Sequence, residues 1–233
     1  MSAAVTVAID RTQVTLRADR LVWWPEQQTL FVSDTHFGKT PSASQPVTDK
    51  NSDLVVADST RAMLAVLTRA IEQLQPRRLI VLGDWLHAGV RASSDCVSQL
   101  SQWRQRHMPL AIWLVMGNHD QRYLKLFAQW AFEVIPQSRI LEPFILCHDP
   151  LASLAVGGAA ASGGVRIGGH VHPGVSTPAS KAGNRLSPCF WQGSEFLVLP
   201  AFGSDTRLAQ VRLAPNQIVH WIADGQLTTS FGA

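Results

Sequence analysis

The chain is short of the residues that would mark it as secreted, membrane-spanning or disordered. It has three cysteines, Cys96, Cys147 and Cys189, odd in number, far apart and with no CxxC pair. That pattern excludes a disulfide framework and a cysteine zinc site, and a reducing cytoplasm is the expected compartment. No apolar run approaches the ~20 residues that a membrane-spanning helix needs. Met1 to Ile9 lack a basic start, and Asp10 and Arg11 cut the apolar stretch short, so no signal peptide is expected. Charged residues are only 16% against 46% hydrophobic, a balance that fills a core and argues against disorder. A net charge of +3 permits a polyanionic partner without demanding one. A length of 233 residues fits a single domain spanning 1–233. Residues 151–164 are nearly all Ala, Gly, Ser and Leu; they lack the lysine of a phosphate-binding loop and read as a flexible connection.

Against that plain background, five apolar runs each stop at a residue able to bind a metal. Leu30-Phe31-Val32-Ser33 leads to Asp34 and His36, and Leu79-Ile80-Val81-Leu82-Gly83 leads to Asp84. Ile112-Trp113-Leu114-Val115-Met116-Gly117 leads to Asn118 and His119. Phe144-Ile145-Leu146-Cys147 leads to His148, and Val165-Arg166-Ile167-Gly168-Gly169 leads to His170 and His172. A continuous apolar run reads as a strand buried on both faces, and ligands in sheet proteins gather where strands end. Six of the eight histidines (His36, His87, His119, His148, His170, His172) fall in or just after these ends, while His107 and His220 stand outside as structural or solvated residues. Asp, Asn and His donors suit Mn²⁺, Fe²⁺ or Zn²⁺. The pattern predicts one polynuclear metal site on one edge of a sheet.

Residues 13–24 alternate and, with Leu30 to Val32, predict an opening pair of strands around the turn at Pro25 to Gln28. Residues 40–57 read as a long exposed loop behind the first motif. Asp58 or Ser59 is the expected cap of a helix carrying Leu64, Leu67, Ile71 and Leu74 and ending at Pro76. Further helices are expected over Ser94–Gln105 and Arg122–Phe132, giving strands and helices in alternation. From residue 195 the pattern changes to short strands at Phe196–Phe202, Leu208–Leu213 and Ile218–Ile222, expected to be antiparallel. The combined expectation is an α/β fold of two packed mixed β-sheets, a β-sandwich flanked by α-helices.

The blocks Asp34-Thr35-His36, Gly83-Asp84, Gly117-Asn118-His119-Asp120, His148 and Gly169-His170-Val171-His172 resemble those of the calcineurin-like binuclear metallophosphoesterases. Within that group, Ser33-Asp34-Thr35-His36-Phe37-Gly38-Lys39, Gly83-Asp84-Trp85-Leu86-His87, His170-Val171-His172-Pro173, Pro188-Cys189-Phe190-Trp191 and Leu199-Pro200-Ala201-Phe202-Gly203 are similar to the bacterial DNA-ligase-associated metallophosphoesterase endonucleases. Ser204-Asp205-Thr206-Arg207 depart from the glycine-rich continuation of that subfamily. Trp85-Leu86-His87 and Asn118-His119-Asp120 stand where phosphoprotein phosphatases carry Asp-Arg-Gly and Asn-His-Glu, which sets protein phosphatase aside.

The resemblance implies two divalent metal ions, Mn²⁺ first, with Fe²⁺ or Zn²⁺ as the other candidates. One would be held by Asp34, His36 and His172, the other by Asn118, His148 and His170, with Asp84 bridging. A hydroxide between the two would be the nucleophile on phosphorus. The catalytic candidates are His119, facing the phosphoryl group, His87, as a phosphate contact or a loop residue, and Asp120, which either orients the His119 ring or caps the following helix. Lys39 and Arg122 could reach phosphate, although such residues are normally solvated. The implied activity is a metal-dependent phosphodiesterase or endonuclease acting on DNA. Its substrate would be single-stranded and its setting DNA repair, in functional association with a DNA ligase and a helicase and with no membrane. Stacking of bases on some of the eight tryptophans would suit such a substrate, while Trp113, inside a strand run, reads as core. Two other readings remain: a small-molecule phosphodiesterase or pyrophosphatase acting on nucleotides or nucleotide-linked lipid precursors, and a non-catalytic scaffold of the same fold.

Overall fold

A computed structural model describes residues 2–39, 49–91, 94–152, 164–177, 186–203 and 206–232, the side chains of 49–54 excepted. The first sheet has seven strands in sequential order: β1 (Ala4–Ile9), β2 (Thr12–Arg17), β3 (Val22–Trp24), β4 (Thr29–Val32), β5 (Arg78–Val81), β6 (Ala111–Val115) and β7 (Glu133–Ile135). β1 to β4 pair antiparallel and β4 to β7 parallel. Parallel neighbours need crossovers, and the helices α1 (Asp49–Leu74), α2 (Asp95–Arg106) and α3 (Leu124–Gln129) provide them. The second sheet is also mixed. It contains β8 (Ser138–Leu141), β9 (Phe144–Cys147), β10 (Val165–Gly168), β11 (Pro173–Val175), β12 (Ser187–Gln192), β13 (Phe196–Val198), β14 (Ala209–Gln210), β15 (Ile218–Ala223) and β16 (Gln226–Phe231).

Successive side chains on a strand point to opposite faces, so a run apolar at every position must be covered twice. Leu30, Val32, Leu79, Val81, Ile112 and Leu114 pack under the helices with Leu67 of α1, Leu100 and Trp103 of α2 and Phe127 of α3. Phe31, Ile80, Leu82 and Val115 face the other way and meet Phe144, Leu146, Ile167 and Leu197 of the second sheet. The outer face of the second sheet carries Val175, Cys189 and Val219 with Trp191 and Trp221 packed on them, and among the described residues no helix covers it. Nor, among those residues, is any helix long and apolar enough to cross a membrane.

Several boundaries differ from the sequence expectations. β1 was not expected, although Val5, Val7 and Ile9 alternate and pair with β2. α1 begins at Asp49, nine residues before the expected cap at Asp58, because Val56, Ala57 and Thr60 extend the buried stripe of Leu64 and Leu67 backwards. Residues 49–57 are therefore helix rather than loop, and residues 40–48 lie outside the described residues. α2 starts as expected, with the Ser94 hydroxyl accepting from the Val97 N–H. The third helix is shorter than expected: a 3₁₀ turn over Gln121–Tyr123 precedes it, and Ala131 at φ 53° turns the chain away before Phe132. The last quarter is not wholly antiparallel, since β13 lies parallel to β10 and β14 parallel to β11. β15 and β16 do form an antiparallel hairpin. The glycine-rich stretch falls mostly on 153–163, outside the described residues.

Phe31 is fully buried between the sheets, 6.0 Å from the Phe144 ring and 6.4 Å from Trp24. Phe31→Ala is expected to destabilise the protein by about 3–5 kcal/mol. The check is a lowered urea midpoint with an unchanged m-value; a loss below about 1 kcal/mol would mean that the sandwich collapses onto the cavity.

Candidate metal centre

All five apolar runs end together, but not on one sheet. Asp34 and His36 follow β4, Asp84 follows β5, and Asn118 and His119 follow β6, all in the first sheet. His148 follows β9, and His170 and His172 follow β10, both in the second. The expected site on one edge of a sheet is therefore corrected to a site across the ends of two. The loops after β4 and β5 stay laced together, with Asp34 N–H donating to Gly83 O at 3.1 Å and His36 N–H to Asp84 O at 2.9 Å. Gly169 N–H donates to His148 O at 2.8 Å and so ties the two loops of the second sheet.

The backbone turns sharply at these positions. Asp34, His36, Asp84, His170 and His172 adopt φ values of 50°, 46°, 53°, 68° and 50°. Left-handed backbone costs an L-residue about 1–2 kcal/mol, and Asp, Asn and His are among the side chains that tolerate it best. Metal-ligand chemistry and backbone tolerance thus select the same residue types here. Glycine is required where a ligand lies against the neighbouring chain. A Cβ on Gly117 would sit 2.1 Å from Asp84 Oδ1, and one on Gly169 would sit 2.1 Å from Asp34 Oδ2.

Each carboxylate ligand has one oxygen tied down and the other left facing the cluster. Asp34 Oδ2 accepts from the Ser33 hydroxyl at 2.7 Å and from His170 N–H at 2.9 Å, while Oδ1 is buried without a hydrogen-bond partner, 3.6 Å from His172 Nε2. Asp84 Oδ1 accepts from His119 N–H at 2.9 Å, and its Oδ2 faces Nε2 of His148, His36 and His119 at 3.6, 3.8 and 3.9 Å. Burial alone would raise the Asp34 pKa, but His172, His148 and the Ser33 hydroxyl outweigh it and hold the group below the usual carboxylate range.

The imidazoles divide by tautomer. His148 donates Nδ1–H to Leu82 O at 2.9 Å and His172 donates Nδ1–H to Arg207 O at 3.3 Å, so the Nε2 lone pair of each turns into the cluster. His119 is the reverse. Its Nδ1 accepts from Ala88 N–H at 3.0 Å, which leaves the proton of the neutral ring on Nε2 and makes that atom a donor. His36 is pushed down to about 3 by burial, against the pull of Asp34, so its ring is neutral at physiological pH.

Donor atoms crowd each other as they would around a shared cation. His36 Nε2 and His172 Nε2 lie 3.2 Å apart, and His148 Nε2 is 3.1 Å from both Asn118 Oδ1 and His170 Nδ1. Three sets of ligand atoms each fall within 4.8 Å: Asp34, His36 and His172; Asp34, Asp84 and His148; and His36, His87 and His119. The partnerless Asp34 oxygen and the inward lone pairs fit divalent cations, since a buried carboxylate oxygen with no partner is otherwise costly. Among the described residues the structure thus brings together every ligand expected from the sequence. The third set was not foreseen.

The remaining candidates separate. His87 stacks on His119 with ring centres 5.2 Å apart, and burial pulls its pKa down, helped by His119 and Lys39. Asp120 is a correction: its carboxylate is directed neither at the His119 ring nor at a helix cap. It accepts from Asp84 N–H at 2.8 Å, Trp85 N–H at 3.0 Å and Gly117 N–H at 3.0 Å, and so binds the loops after β5 and β6 to each other. Burial pushes its pKa up to about 7, with Asp84 adding to the rise. Lys39 lines a small cavity beside His36, whereas Arg122 is solvent-exposed. Tyr123 was missed, although it is the only tyrosine in the chain. Its hydroxyl donates to His87 O at 2.8 Å and steadies the loop that carries Ala88 N–H. A buried tyrosine one turn after the third motif was the available signal.

Gly169→Ala is expected to remove bound metal while leaving the far-ultraviolet spectrum native, because the new methyl would sit 1.9 Å from Ser33 Oγ and 2.1 Å from Asp34 Oδ2 and so displaces the Asp34 carboxylate together with the hydroxyl that holds it. Metal content measured after dialysis checks this; a variant that holds as much metal as the wild type would show that Asp34 is not a ligand.

Sequence comparison gives the calcineurin-like phosphoesterase pattern over residues 28–191, more than half of the 233. No curated protein matches the chain in sequence. The crystal structure of the Pseudomonas putida nuclease MPE is similar with a TM-score of 0.78 and 28% identity, over 97% of this chain and 100% of that one. The structure of Yfce, a phosphoesterase from E. coli, has a TM-score of 0.46 and 18% identity over 87% and 98%. With its two mixed sheets and its clustered aspartates and histidines, the chain belongs to the calcineurin-like phosphoesterase family and is a metal-dependent phosphoester hydrolase.

Proposed function

We propose that this enzyme is an endonuclease that hydrolyses phosphodiester bonds of DNA, single-stranded DNA first. The observation that carries the reading is the inverted tautomer of His119, which sets a proton donor beside a cluster of metal acceptors. The full-length likeness to a nuclease supports a nucleic acid substrate. A cytoplasmic repair role for one domain of 1–233, beside a DNA ligase and a helicase, belongs to the same proposal and rests on the subfamily resemblance.

In this reading Asp34, His36 and His172 would hold one cation, Asn118, His148 and His170 would hold a second, and Asp84 would serve both. Two divalent ions, Mn²⁺ by preference, would supply Lewis acidity and an acidified water at neutral pH. His119 donates Nε2–H to an oxygen of the scissile phosphate, either equatorial or leaving, as charge builds there. His87, stacked on it with ring centres 5.2 Å apart, is the candidate for a second contact to that phosphate. Asp120 acts as a positioning residue, holding Asp84 and Gly117 in register. A monoester brings a second negative charge that the cluster must also meet, with Lys39 beside His36 as one nearby cation, and diesters, which carry a single charge, are the preferred substrates in this reading.

Circular single-stranded DNA has no ends, so its conversion to a linear product requires internal cleavage. Mn²⁺-loaded protein is expected to linearise it, less so as salt rises and competes for the phosphates. His119→Ala should lower the rate by about 10²–10⁴ while metal content stays constant. Loss of metal in that variant would make His119 a ligand. An intact circle beside rapid hydrolysis of a nucleotide diester would turn the assignment to a small-molecule phosphodiesterase.

A further inference from the structure

The imidazoles that face the cluster differ in what holds the nitrogen turned away from it. His148 and His172 each give theirs to a backbone carbonyl, Leu82 O and Arg207 O. His36 is held by packing, with 5% of its side chain exposed. His170 has neither support. Its side chain is 43% exposed, against 16% for His172 and 10% for His148. It also meets the cluster the other way round, with Nδ1 3.1 Å from His148 Nε2 and its own Nε2 turned outward.

A neutral imidazole that offers the Nδ1 lone pair carries its proton on Nε2. Metal-binding histidines nearly always give that second N–H to an acceptor, which fixes both tautomer and ring orientation. The acceptor beside His170 is Asp149, whose Oδ2 lies 3.9 Å from His170 Nε2; among the described residues no other group pairs with that nitrogen. Asp149 is itself held in place. Its Oδ1 accepts from Leu151 N–H at 2.9 Å and Ala152 N–H at 3.1 Å, so Oδ2 is the oxygen left for the ring. The next residue, Pro150, is buried against Gly168, where a Cβ would come within 2.7 Å of Pro150 Cδ. One oxygen tied to backbone and the other turned to an imidazole is also the arrangement at Asp34 and Asp84.

We propose that Asp149 is a positioning residue of the metal centre, pairing with Nε2–H of His170 so that Nδ1 stays aimed at the cation. The inference rests on the reading in which His170 is a metal ligand. The distance of 3.9 Å is that of an ion pair rather than a hydrogen bond. A cation on Nδ1 makes Nε2–H more acidic and strengthens its attraction to the carboxylate, while the carboxylate makes Nδ1 a better electron-pair donor. His170, the most open of these rings, depends on such a partner more than His148 or His172 does. The other role open to Asp149 is local: it accepts from the two amides of its own turn.

Asp149→Asn separates the two roles, because the amide oxygen can still accept from Leu151 and Ala152 while the negative charge facing His170 is gone. The test titrates metal-free wild type and variants with Mn²⁺, reading free Mn²⁺ by paramagnetic resonance up to millimolar metal. Asp149→Asn is expected to weaken one of the two sites by about 10–100-fold, with the other site and the urea midpoint of the metal-free chain unchanged. His170→Ala should weaken the same site, and adding Asp149→Asn to it should change the residual affinity by no more than about twofold, since the two residues act as a unit. Full affinity at both sites in Asp149→Asn overturns the proposal and leaves Asp149 to its turn. A full further loss in the His170→Ala background also overturns it, because Asp149 would then act without His170. If His170→Ala binds two ions as tightly as the wild type, the reading of His170 as a ligand falls, and the role of Asp149 falls with it.

Discussion

Parallel pairing is the constraint on which the site depends. β4, β5 and β6 run the same way, with Val32 beside Val81 and Val81 beside Leu114, so the residues after them leave the sheet at one level. β9 and β10 do the same in the second sheet. Because the two sheets pack face to face through Phe31, Ile80, Phe144 and Ile167, the two sets of strand ends are brought to one place. Each chain must then change direction within a residue or two. Left-handed backbone makes that turn at Asp34, His36, Asp84, His170 and His172.

Backbone groups, more than other side chains, decide what each imidazole can do. Carbonyls at Leu82 and Arg207 take the Nδ1 protons of His148 and His172, and an amide at Ala88 gives its proton to Nδ1 of His119. Three rings of the same chemistry are thereby divided into two electron-pair donors and one proton donor. The amide at Ala88 is held by the loop that Tyr123 braces, so the division depends on residues that touch no substrate. Asp120 extends the principle to the carboxylates: by accepting from Asp84 N–H and Gly117 N–H it ties Asp84 to the loop of Asn118.

Much of this was legible in the sequence because burial on two faces leaves a plain signature. Leu79-Ile80-Val81-Leu82 could only be a covered strand, and the ligand at its end followed. The short motifs were legible for a second reason, since Gly117 and Gly169 mark the places where a ligand presses on the chain. Sequence spacing could not tell which sheet a strand joins, and so His148 and His170 were expected on the same edge as Asp34. Nor could it distinguish the roles of Asp120, whose partners are amides up to 36 residues away. β1 was overlooked because its alternation is half-exposed, and the start of α1 because polar residues before Asp58 hide a stripe that begins earlier. Local pattern carries the elements and the chemistry; side-chain direction is decided by packing.

The straddling position of the ligands also has a mechanical meaning. Asp34, Asp84 and Asn118 belong to one sheet and His148, His170 and His172 to the other, so any cation they share fastens the two halves of the sandwich at their open ends. Folded chain and loaded chain are then thermodynamically linked: a ligand that binds only the closed arrangement stabilises it in proportion to the logarithm of its free concentration. The rigidity of the reaction centre becomes a property of the surrounding solution. Ions shared in this way would clamp the sandwich as well as serve the hydrolysis, so that scarcity of metal would loosen the enzyme and silence it together.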